Sequence, residues 1–335
     1  MKLHRKAVAF VVAVTASLTA CSTGGTTSNA GDSAADYPDT GKSITLLIPY
    51  GAGGGSDLAG RLAASGLEKE LGVTIVVENN PAGSGQQAIT QLAGADPDGY
   101  TLAFQPLPAL NTMYLDAERG ASFTRDDFVP IANHDTDPVA FGVAANSPFK
   151  SMKDVIDAAT ANPGSVTSGS NGVLAAAHLG LLQLQESTGA KFTWTSFDDG
   201  GQLRTSVLGG SVDLEVQPVS ELTAAAADGS MRILGIMTDE RLKGLPDVPT
   251  LAEIGYPDAI MATNRILLAP AGTPQGIVDK LSSSLKTAME DPAYQAQAQE
   301  RLLELNYMDA AAVEAMWESF DNSIGTLIEA FRSQG

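Results

Sequence analysis

The strongest constraint on the fold is the stretch at residues 44–57, where an apolar run passes through a glycine-rich loop into a helical pattern. Gly51, Gly53, Gly54 and Gly55 lie in this loop. A loop with so few side chains exposes backbone N–H groups, and the positive end of the following helix dipole points the same way. The stretch therefore predicts a strand–loop–helix unit that can hold an anion.

Short apolar runs alternate with helical patterns along the chain, which is typical of an α/β fold with mostly parallel sheets. The pattern predicts strands at residues 44–49, 74–78, 100–104, 138–145, 192–197, 212–217 and 232–238, and a short polar strand and loop at residues 166–172. It predicts helices at residues 58–71, 86–92, 153–160, 173–185, 202–208 and 220–227, after 274 and after 309. Ser56 or Asp57 is expected to cap the first helix, and the apolar stripe of the last helix is assigned to the core.

A second glycine-containing loop, SGSNG at residues 168–172, also follows a short strand and opens a helix. Two such loops can serve one anion if two α/β lobes face each other across a cleft. The chain is then expected to enter the second lobe near residues 136–144 and to return near residues 232–238. His178 lies in the second helix and is expected to have a structural role.

The first twenty residues have the pattern of a secretory signal, with Lys2, Arg5 and Lys6 before an apolar core too short to span a bilayer. The sequence LTAC at residues 18–21 resembles a lipobox, which predicts lipid attachment at Cys21. Residues 21–36 are rich in Ser, Thr, Gly and Ala, and are predicted to be a flexible tether to the membrane. Cys21 is the only cysteine, so no internal disulfide is expected.

The net charge of the chain limits the classes of molecule that the protein is expected to bind. Residues 1–20 hold three basic and no acidic residues, so their removal takes the formal net charge from −19 to −22. This acidity argues against nucleic-acid binding, because phosphate contacts need a basic face. A carboxylate ligand must then be recognised locally by oriented dipoles. The protein is expected to be a monomer.

Enzyme motifs are poorly matched. The first loop lacks the spacing of a dinucleotide fingerprint and the lysine of a phosphate-binding P-loop, and the second lacks the first glycine of a nucleophile elbow. Outside the signal only His134 and His178 remain for a catalytic triad, and no spacing suggests a metal site or a cofactor. Arg204 and Arg265 are within reach of a second carboxylate, but surface exposure is expected for each. An extracytoplasmic α/β hydrolase stays open as an alternative, and turnover of a carboxylate ester would reveal it.

From Tyr37 to the C-terminus the chain resembles the substrate-binding receptors of tripartite tricarboxylate transporters, the Bug family. No single motif carries the resemblance; their order and spacing do. The matching pieces are YP at 37–38, ITLLIPYGAGGGSD at 44–57, VEN at 77–79, PAG at 81–83, PDGYTL at 97–102, NPG at 162–164, SGSNG at 168–172, HL at 178–179, FDDGG at 197–201, LGG at 208–210, VD at 212–213, LPDVPT at 245–250 and APAGTP at 269–274.

The resemblance implies a two-domain periplasmic-binding-protein fold of type II, a Venus-flytrap with a ligand cleft between its lobes. It implies a receptor that passes a small organic carboxylate (a di- or tricarboxylate or similar acid) to integral membrane subunits. Together with the signal and the lipobox, this predicts an extracytoplasmic receptor that is lipid-anchored at the cell surface or in the periplasm. Lobe 1 is placed at residues 37–138 and 236–335, and lobe 2 at residues 139–235. The ligand-binding residues carried over are Tyr50, Ala52, Gly54, Gly55, Ser56, Asp57, Gln105, Ser168, Ser170, Asn171, Gly172, Asp198, Asp199 and Gln217.

The chain departs from the family pattern at positions expected to contact the distal half of the ligand. Asp199 stands where a glycine is usual, Gln217 replaces an acidic residue or Asn, and Asn264-Arg265 replaces an aromatic region. These departures therefore affect which carboxylate is expected to bind, and not the expectation that the ligand is a carboxylate. A sensory receptor that binds the same acid without transport remains a second alternative, which neighbouring genes for a large and a small membrane subunit would exclude.

Overall fold

The computed structural model describes residues 37–197, 200–301 and 303–333. The signal, the tether, Cys21, Asp198 and Asp199 lie outside the described residues. The strands are β1 (Ile44–Ile48), β2 (Ile75–Asn79), β3 (Thr101–Leu107), β4 (Phe128–Ala144), β5 (Val166–Asn171), β6 (Phe192–Phe197), β7 (Leu214–Pro218), β8 (Met231–Ile236), β9 (Ala262–Pro270) and β10 (Leu305–Asp309). The helices are α1 (Gly55–Leu71), α2 (Gln86–Ala93), α3 (Ala109–Leu115), α4 (Met152–Ala161), α5 (Ala176–Thr188), α6 (Gly200–Leu208), α7 (Val219–Ala227), α8 (Gln275–Glu290), α9 (Pro292–Glu300) and α10 (Ala310–Arg332).

The strands form one hydrogen-bonded ladder in two sections that share β4. We call the section β2-β1-β3-β9-β4-β10 the first sheet; β1 is parallel to β2 and β3, and the pairs that include β9 or β10 are antiparallel. The section β8-β4-β7-β5-β6 is the second sheet, in which β5 is parallel to β6 and β7. Parallel strands bring their carboxyl ends, and hence the two glycine loops, to an edge of each sheet.

Helices cover both faces of both sheets. Helices α1 and α8 pack on one face of the first sheet, and α2 and α3 on the other. Helices α4 and α5 cover one face of the second sheet, and α6 and α7 the other. Strands buried on both faces become long apolar runs, which is why this alternating pattern was readable in the sequence.

The last helix, α10, packs against both sheets. Its start is capped by Asp309, whose carboxylate accepts a hydrogen bond from the N–H of Ala312 at 2.9 Å. Trp317 is fully buried with residues of the first sheet, whereas Ile324 and Leu327 are buried with residues of the second sheet. The predicted core role of this stripe is confirmed, and the stripe joins two cores.

Several predicted boundaries are wrong. β5 continues to Asn171, so most of the predicted second loop is strand that pairs with β6. β3 continues to Leu107, so Gln105 lies inside the strand and not after it. β4 starts at Phe128, well before the predicted 138, because its polar run at residues 133–137 is buried against distant partners. Helix α5 starts at Ala176 and not at 173, because Leu174 has a positive φ of 57° that a helix does not allow.

The segment between β8 and β9 stays with the second sheet. Met237, Leu251 and Met261 are buried in the same apolar cluster as α4 and α5, and the chain rejoins the first sheet only at β9. It therefore leaves the second sheet later than the expected boundary at 236. Within the described ranges, none of the helices combines the length and the apolar character needed to cross a bilayer.

Candidate functional site

The first glycine loop is held in shape by Asp57. This buried side chain accepts hydrogen bonds from the N–H of Gly53 at 2.8 Å, from Asn79 Nδ2 at 2.8 Å and from Arg61 Nε at 3.0 Å. Asn79 Nδ2 also donates to the carbonyl oxygen of Tyr50 at 3.0 Å. Burial alone would raise the pKa of Asp57, but the hydrogen bonds from Arg61, Gly53 and Asn79 lower it overall. The carboxylate thus stays ionised and ties both ends of the loop to β2.

The expected caps of the first helix were wrong. The N-cap is Gly54, no side chain bonds at that position, and Ser56 and Asp57 are already in the first turn. Ala52, Gly54 and Gly55 are exposed and Ser56 is half-buried. The loop therefore offers its backbone to the surroundings, as predicted from its composition.

Arg265 lies directly beneath this loop. A Cβ at Gly55 would stand 3.3 Å from its Nη2 atom. The guanidinium donates to Asp135, and Nη2 lies 3.6 Å from Asp137. Only 6% of the residue is exposed, so the expectation of a surface role was wrong. Its Nε atom has no hydrogen-bond partner among the described residues.

Burial and pairing with Arg265 have opposite effects on the pKa values of Asp135 and Asp137. Burial would raise the pKa of Asp135, but Arg265 and His134 hold it below its usual value. Burial raises the pKa of Asp137 in spite of Arg265. His134 bridges the cluster to α9, with Nδ1 at 2.7 Å from Asp135 and Nε2 at 2.7 Å from the Tyr294 hydroxyl. The absence of metal-type spacing around His134 agrees with this structural role.

Tyr50 and Gln105 lie side by side next to the loop. Burial raises the pKa of Tyr50 to about 12, against the lowering effects of Gln105, Arg265 and Arg119. Gln105 is fully buried, and its Nε2 donates to the carbonyl oxygen of Pro106 at 3.1 Å. The Oε1 atom of Gln105 finds no partner in the part of the chain that the structure describes.

The second loop, predicted at residues 168–172, is largely strand: β5 runs to Asn171, and the turn starts only at Gly172. Ser168 and Ser170 are fully buried; Ser170 Oγ accepts a hydrogen bond from Trp194 Nε1 at 2.9 Å, whereas Ser168 Oγ is unpartnered within the described residues. The N–H of Gly172, which has a φ of 74°, donates to the carbonyl oxygen of Phe197 at 3.3 Å. A bulky replacement at Ser170 would therefore disrupt the fold before it reported on a ligand.

His178 supports this loop from below. Its Nδ1 accepts a hydrogen bond from the N–H of Leu174 at 3.0 Å, and its ring stacks on Trp194 with centroids 3.6 Å apart. Burial lowers the pKa of His178 to about 4, so the ring is neutral at pH 7. The expectation of a structural histidine is consistent with this geometry.

Four elements, β5, β7, α6 and α7, meet at Gly200, the first residue of α6. A Cβ there would stand 3.3 Å from Asn171 Nδ2, 3.7 Å from Glu221 Oε2 and 3.8 Å from Gln217 Nε2. The Oδ1 atom of Asn171 and the Nε2 atom of Gln217 are buried without partners among the described residues. The predicted site residues Asn171 and Gln217 are thus brought together at the start of α6.

Two sets of hydrogen bonds connect the halves of the predicted site. Arg119 Nη2 donates to the carbonyl oxygen of Val173 at 3.1 Å, and Asp137 accepts from the N–H of Ser220 at 3.2 Å and from its hydroxyl at 2.5 Å. Arg119 was not predicted from the sequence, because it ends the short helical turn Ala117–Arg119, whose other residues are exposed, and resembles an ordinary surface arginine.

Arg204 is bound within the second sheet and does not have the surface role expected of it. Its Nε and Nη2 atoms lie 2.8 Å and 2.7 Å from the carboxylate oxygens of the fully buried Glu215. The guanidinium therefore has a fixed partner, and no recognition role needs to be assigned to it.

Five polar atoms are buried without partners among the described residues, on Arg265 and on the predicted site residues Gln105, Ser168, Asn171 and Gln217. Such atoms are costly unless a ligand or solvent satisfies them, by about 1–3 kcal/mol each.

A cavity of about 980 Å³ lies beside the region, beyond the contact of Asp137 with Ser220. It is lined by α7, α8, α9 and β10, and it includes neither a predicted site residue nor any buried unpartnered polar atom of the described chain. We therefore place the candidate site at the glycine loops. No group of three or more His, Cys, Asp or Glu side chains that could hold a metal ion occurs in the described ranges.

Comparison with known proteins gives one consistent family. A model described as "Tripartite tricarboxylate transporter family receptor" matches residues 59–332. A UPF0065 protein from the gbd 5′ region of Cupriavidus necator is 32% identical over 274 residues, which are 80% of this chain and 80% of that protein. A TctC solute-binding protein from Polaromonas has a solved structure with a TM-score of 0.77, at 28% identity over 88% of this chain and 99% of that one.

Two further solved structures show the same fold at 23% identity. MatC from Rhodopseudomonas palustris, with bound malate, covers 85% of this chain and 98% of its own, with a TM-score of 0.72. Rpa4515 of R. palustris, with adipate, covers 88% of this chain and 99% of its own, also with a TM-score of 0.72.

Proposed function

The chain belongs to the tripartite tricarboxylate transporter receptor family, and from this premise we propose that it captures a small organic carboxylate and delivers it to a tripartite transporter. The family consists of solute-binding receptors and not of enzymes, and the predicted α/β periplasmic-binding-protein fold is confirmed. The transport role follows the family's description; a sensory receptor would use the same site.

The observation that carries the proposal is the set of unpartnered polar atoms that Arg265 and the predicted site residues present from strands β3, β5, β7 and β9. Gln217 Nε2 and Arg265 Nε are donors, as a carboxylate requires, and the amides of Gln105 and Asn171 can present either an oxygen or an N–H. The first turn of α1 adds backbone N–H groups and a favourable helix dipole. A carboxylate with a polar substituent would satisfy both kinds of group.

The ligands of two relatives support this class. MatC carries malate and Rpa4515 carries adipate, and both acids are dicarboxylates. We place the ligand between lobe 1 and lobe 2, with the predicted residues of both loops around it, and we propose that the lobes close on it by a hinge motion in the shared strand β4. The proposal needs no metal and no cofactor.

We also propose that the protein acts outside the cytoplasm and is held to the membrane by lipid on Cys21. The basic start, the short apolar core and the lipobox at residues 18–21 support this placement. The tether at residues 21–36 would let the receptor reach the integral membrane subunits.

Thermal-shift and calorimetric titrations with a panel of carboxylates test the function. At least one acid is expected to raise the melting temperature, because a ligand that binds only the folded state stabilises it. The variant Gln217→Leu is expected to weaken the binding of that acid by about tenfold, as it removes one hydrogen bond to a charged group.

Gln183→Leu is the matched control. Gln183 also has an unpartnered buried amide oxygen, but its Nε2 donates to the carbonyl oxygen of Asp258 at 2.9 Å, on α5 and away from the loops. This variant should keep the affinity of the unmodified protein. The proposal fails if no carboxylate raises the melting temperature, or if both glutamine variants lose affinity equally.

A further inference from the structure

Arg119 is a cation that contacts the second glycine loop and neighbours the first. It ends the short helical turn Ala117–Arg119 that follows α3. Its Nη2 donates to the carbonyl oxygen of Val173, which directly follows Gly172. On the other side, Arg119 and Tyr50 are close enough for the charge of one to influence the pKa of the other. The guanidinium therefore lies between the two halves of the candidate site.

The charge of Arg119 is only weakly matched by its neighbours. The nearest carboxylate is Asp116 Oδ2, at 3.8 Å from Arg119 Nε, but Arg332 Nη2 binds the same oxygen at 2.7 Å. Arg332 Nη1 also binds Glu118 at 2.5 Å. Only 25% of the Arg119 side chain is exposed, and burial lowers the pKa of its guanidinium. A desolvated cation whose carboxylate is shared favours an additional anion.

Three other arginines near the site are already paired. Arg265 contacts Asp135 and Asp137, Arg204 binds Glu215 through two nitrogen atoms, and Arg61 binds Asp57. Of these four cations, Arg119 is the one whose carboxylate is held mainly by another arginine. Space adjoins it, since Arg119 lines a cavity of about 430 Å³ together with residues of the first turns of α2.

We propose that Arg119 binds a second carboxylate group of the ligand, so that this receptor selects dicarboxylates over monocarboxylates. The inference rests on the proposed function, in which the two loops hold the first carboxylate. A guanidinium has five N–H donors; one of those of Arg119 goes to Val173, and the others can hold a carboxylate in a two-pronged geometry. The acidic exterior of the protein makes such a local cation necessary for a dianion.

Matched pairs of acids provide the test. Succinate, glutarate, adipate and malate are titrated into the purified protein, each against the acid in which a methyl group replaces one terminal carboxylate: butanoate, pentanoate, hexanoate and 2-hydroxybutanoate. We expect at least one diacid to bind about tenfold or more tightly than its partner. Arg119→Gln should weaken that diacid by about 10- to 100-fold and its partner by less than about threefold, because only the diacid loses a charged hydrogen bond.

Two further variants keep the test decisive. Arg301→Gln removes an exposed arginine whose Nη1 donates to the carbonyl oxygen of Gln297, and should change no affinity. Arg119→Lys keeps the charge without the two-pronged geometry, and should weaken the diacid alone, by less than Arg119→Gln does. If Arg119→Gln does not fold, Arg119→Lys takes its place in the comparison of diacid and monoacid.

The possible failures are distinguishable. An equal loss for diacid and monoacid in the Arg119 variants overturns the inference, because Arg119 would then act only by joining the loops through Val173. A wild-type protein that prefers the monoacids also overturns it and leaves the proposed function intact. If none of the eight acids nor any other carboxylate binds, the proposed function itself fails.

Discussion

Buried polar residues of this protein divide into those with partners inside the chain and those without. His178, Asp57 and Asp135 each make hydrogen bonds that fix a loop or a strand. Gln105 and Gln217 are as deeply buried but leave polar atoms unpartnered within the described residues. The first kind stabilises the fold, and the second kind is available to a ligand. Residue type alone does not separate them, which is why Arg265 was misplaced on the surface.

The titration of His178 should be visible in the stability of the protein. Its pKa is about 4 in the folded state, against an ordinary 6.5, so the unfolded chain binds more protons between these values. The free energy of unfolding is therefore undiminished by this residue above pH 6.5. It falls as the pH drops towards 4, by up to about 3 kcal/mol. Urea unfolding at pH 7 and at pH 4.5 measures the loss.

His178→Asn isolates that contribution from the carboxylates that also titrate in acid. The asparagine oxygen can accept the hydrogen bond from Leu174 N–H but has no proton to gain. The variant should be less stable at pH 7, because it loses the stacking on Trp194, and should lose less stability on acidification. A fall of the same size in both proteins would contradict the assigned pKa.

At the scale of elements, sequence patterns predicted the strands and helices whose causes are local. β1, β6 and α6 follow from apolar runs and glycine turns, and they lie within two residues of the predictions. The first half of β4, with the strands β9 and β10, escaped prediction. The polar run at residues 133–137 of β4 looks like a loop until it is paired with Arg265, Tyr294 and Ser220, all more than eighty positions away.

In the candidate site, too, features with local causes were predicted and features that depend on distant partners were not. Glycine content and helix starts are local features of the sequence, and they were enough to predict the first loop. The second prediction was wrong in part, because residues 168–171 pair with β6 and end strand β5, so only Gly172 of the predicted loop lies outside the strand. β5 and β7 present Asn171 and Gln217 together as expected. Arg119 and the burial of Arg265 were not predictable, because each depends on a partner from another element. Asp198 and Asp199 lie outside the described residues, and their role stays a prediction.

Alanine variants at two glycines with the same φ angle distinguish the cost of backbone strain from the cost of a steric clash. Gly53 and Gly85 both have a φ of 86°; a Cβ at Gly53 meets nothing within 4 Å, whereas one at Gly85 would stand 2.6 Å from the carbonyl oxygen of Pro49. Gly53→Ala should therefore lower the free energy of unfolding by about 1–2 kcal/mol, the cost of the left-handed conformation.

Gly85→Ala should cost at least about 1 kcal/mol more and weaken ligand binding, because the chain at Pro49 and Tyr50 has to move. Urea unfolding and calorimetric titration of both variants give the comparison. Equal destabilisation would mean that the turn before α2 does not support the first glycine loop.

At the scale of the whole molecule, the proposed attachment to the membrane depends on lipid at Cys21. The described residues contain no helix suited to crossing a bilayer, and the net charge of −19 offers little attraction to an anionic membrane surface. In a lipoprotein-processing bacterial host, the protein should incorporate an alkyne-tagged fatty acid. Cys21→Ser should abolish the label, since the thiol is its acceptor.

Ser22→Ala alters the neighbouring residue and keeps the thiol, and it should be labelled like the unmodified protein. In-gel fluorescence after pulldown measures all three. An unlabelled wild type, or a label that persists in Cys21→Ser, would show that Cys21 does not carry the lipid.

The strand order of the first sheet constrains the order in which the chain can fold as it is synthesised. β9 lies between β3 and β4, yet its Arg265 comes 130 positions after its partner Asp135. A chain that emerges from its N-terminus therefore leaves β3 and β4 with open edges until β9 follows. The second sheet needs only the contiguous run from β4 to β8. Open strand edges promote aggregation, so folding is safest when the second sheet forms first as an insert and the arrival of β9 and α10 completes the molecule.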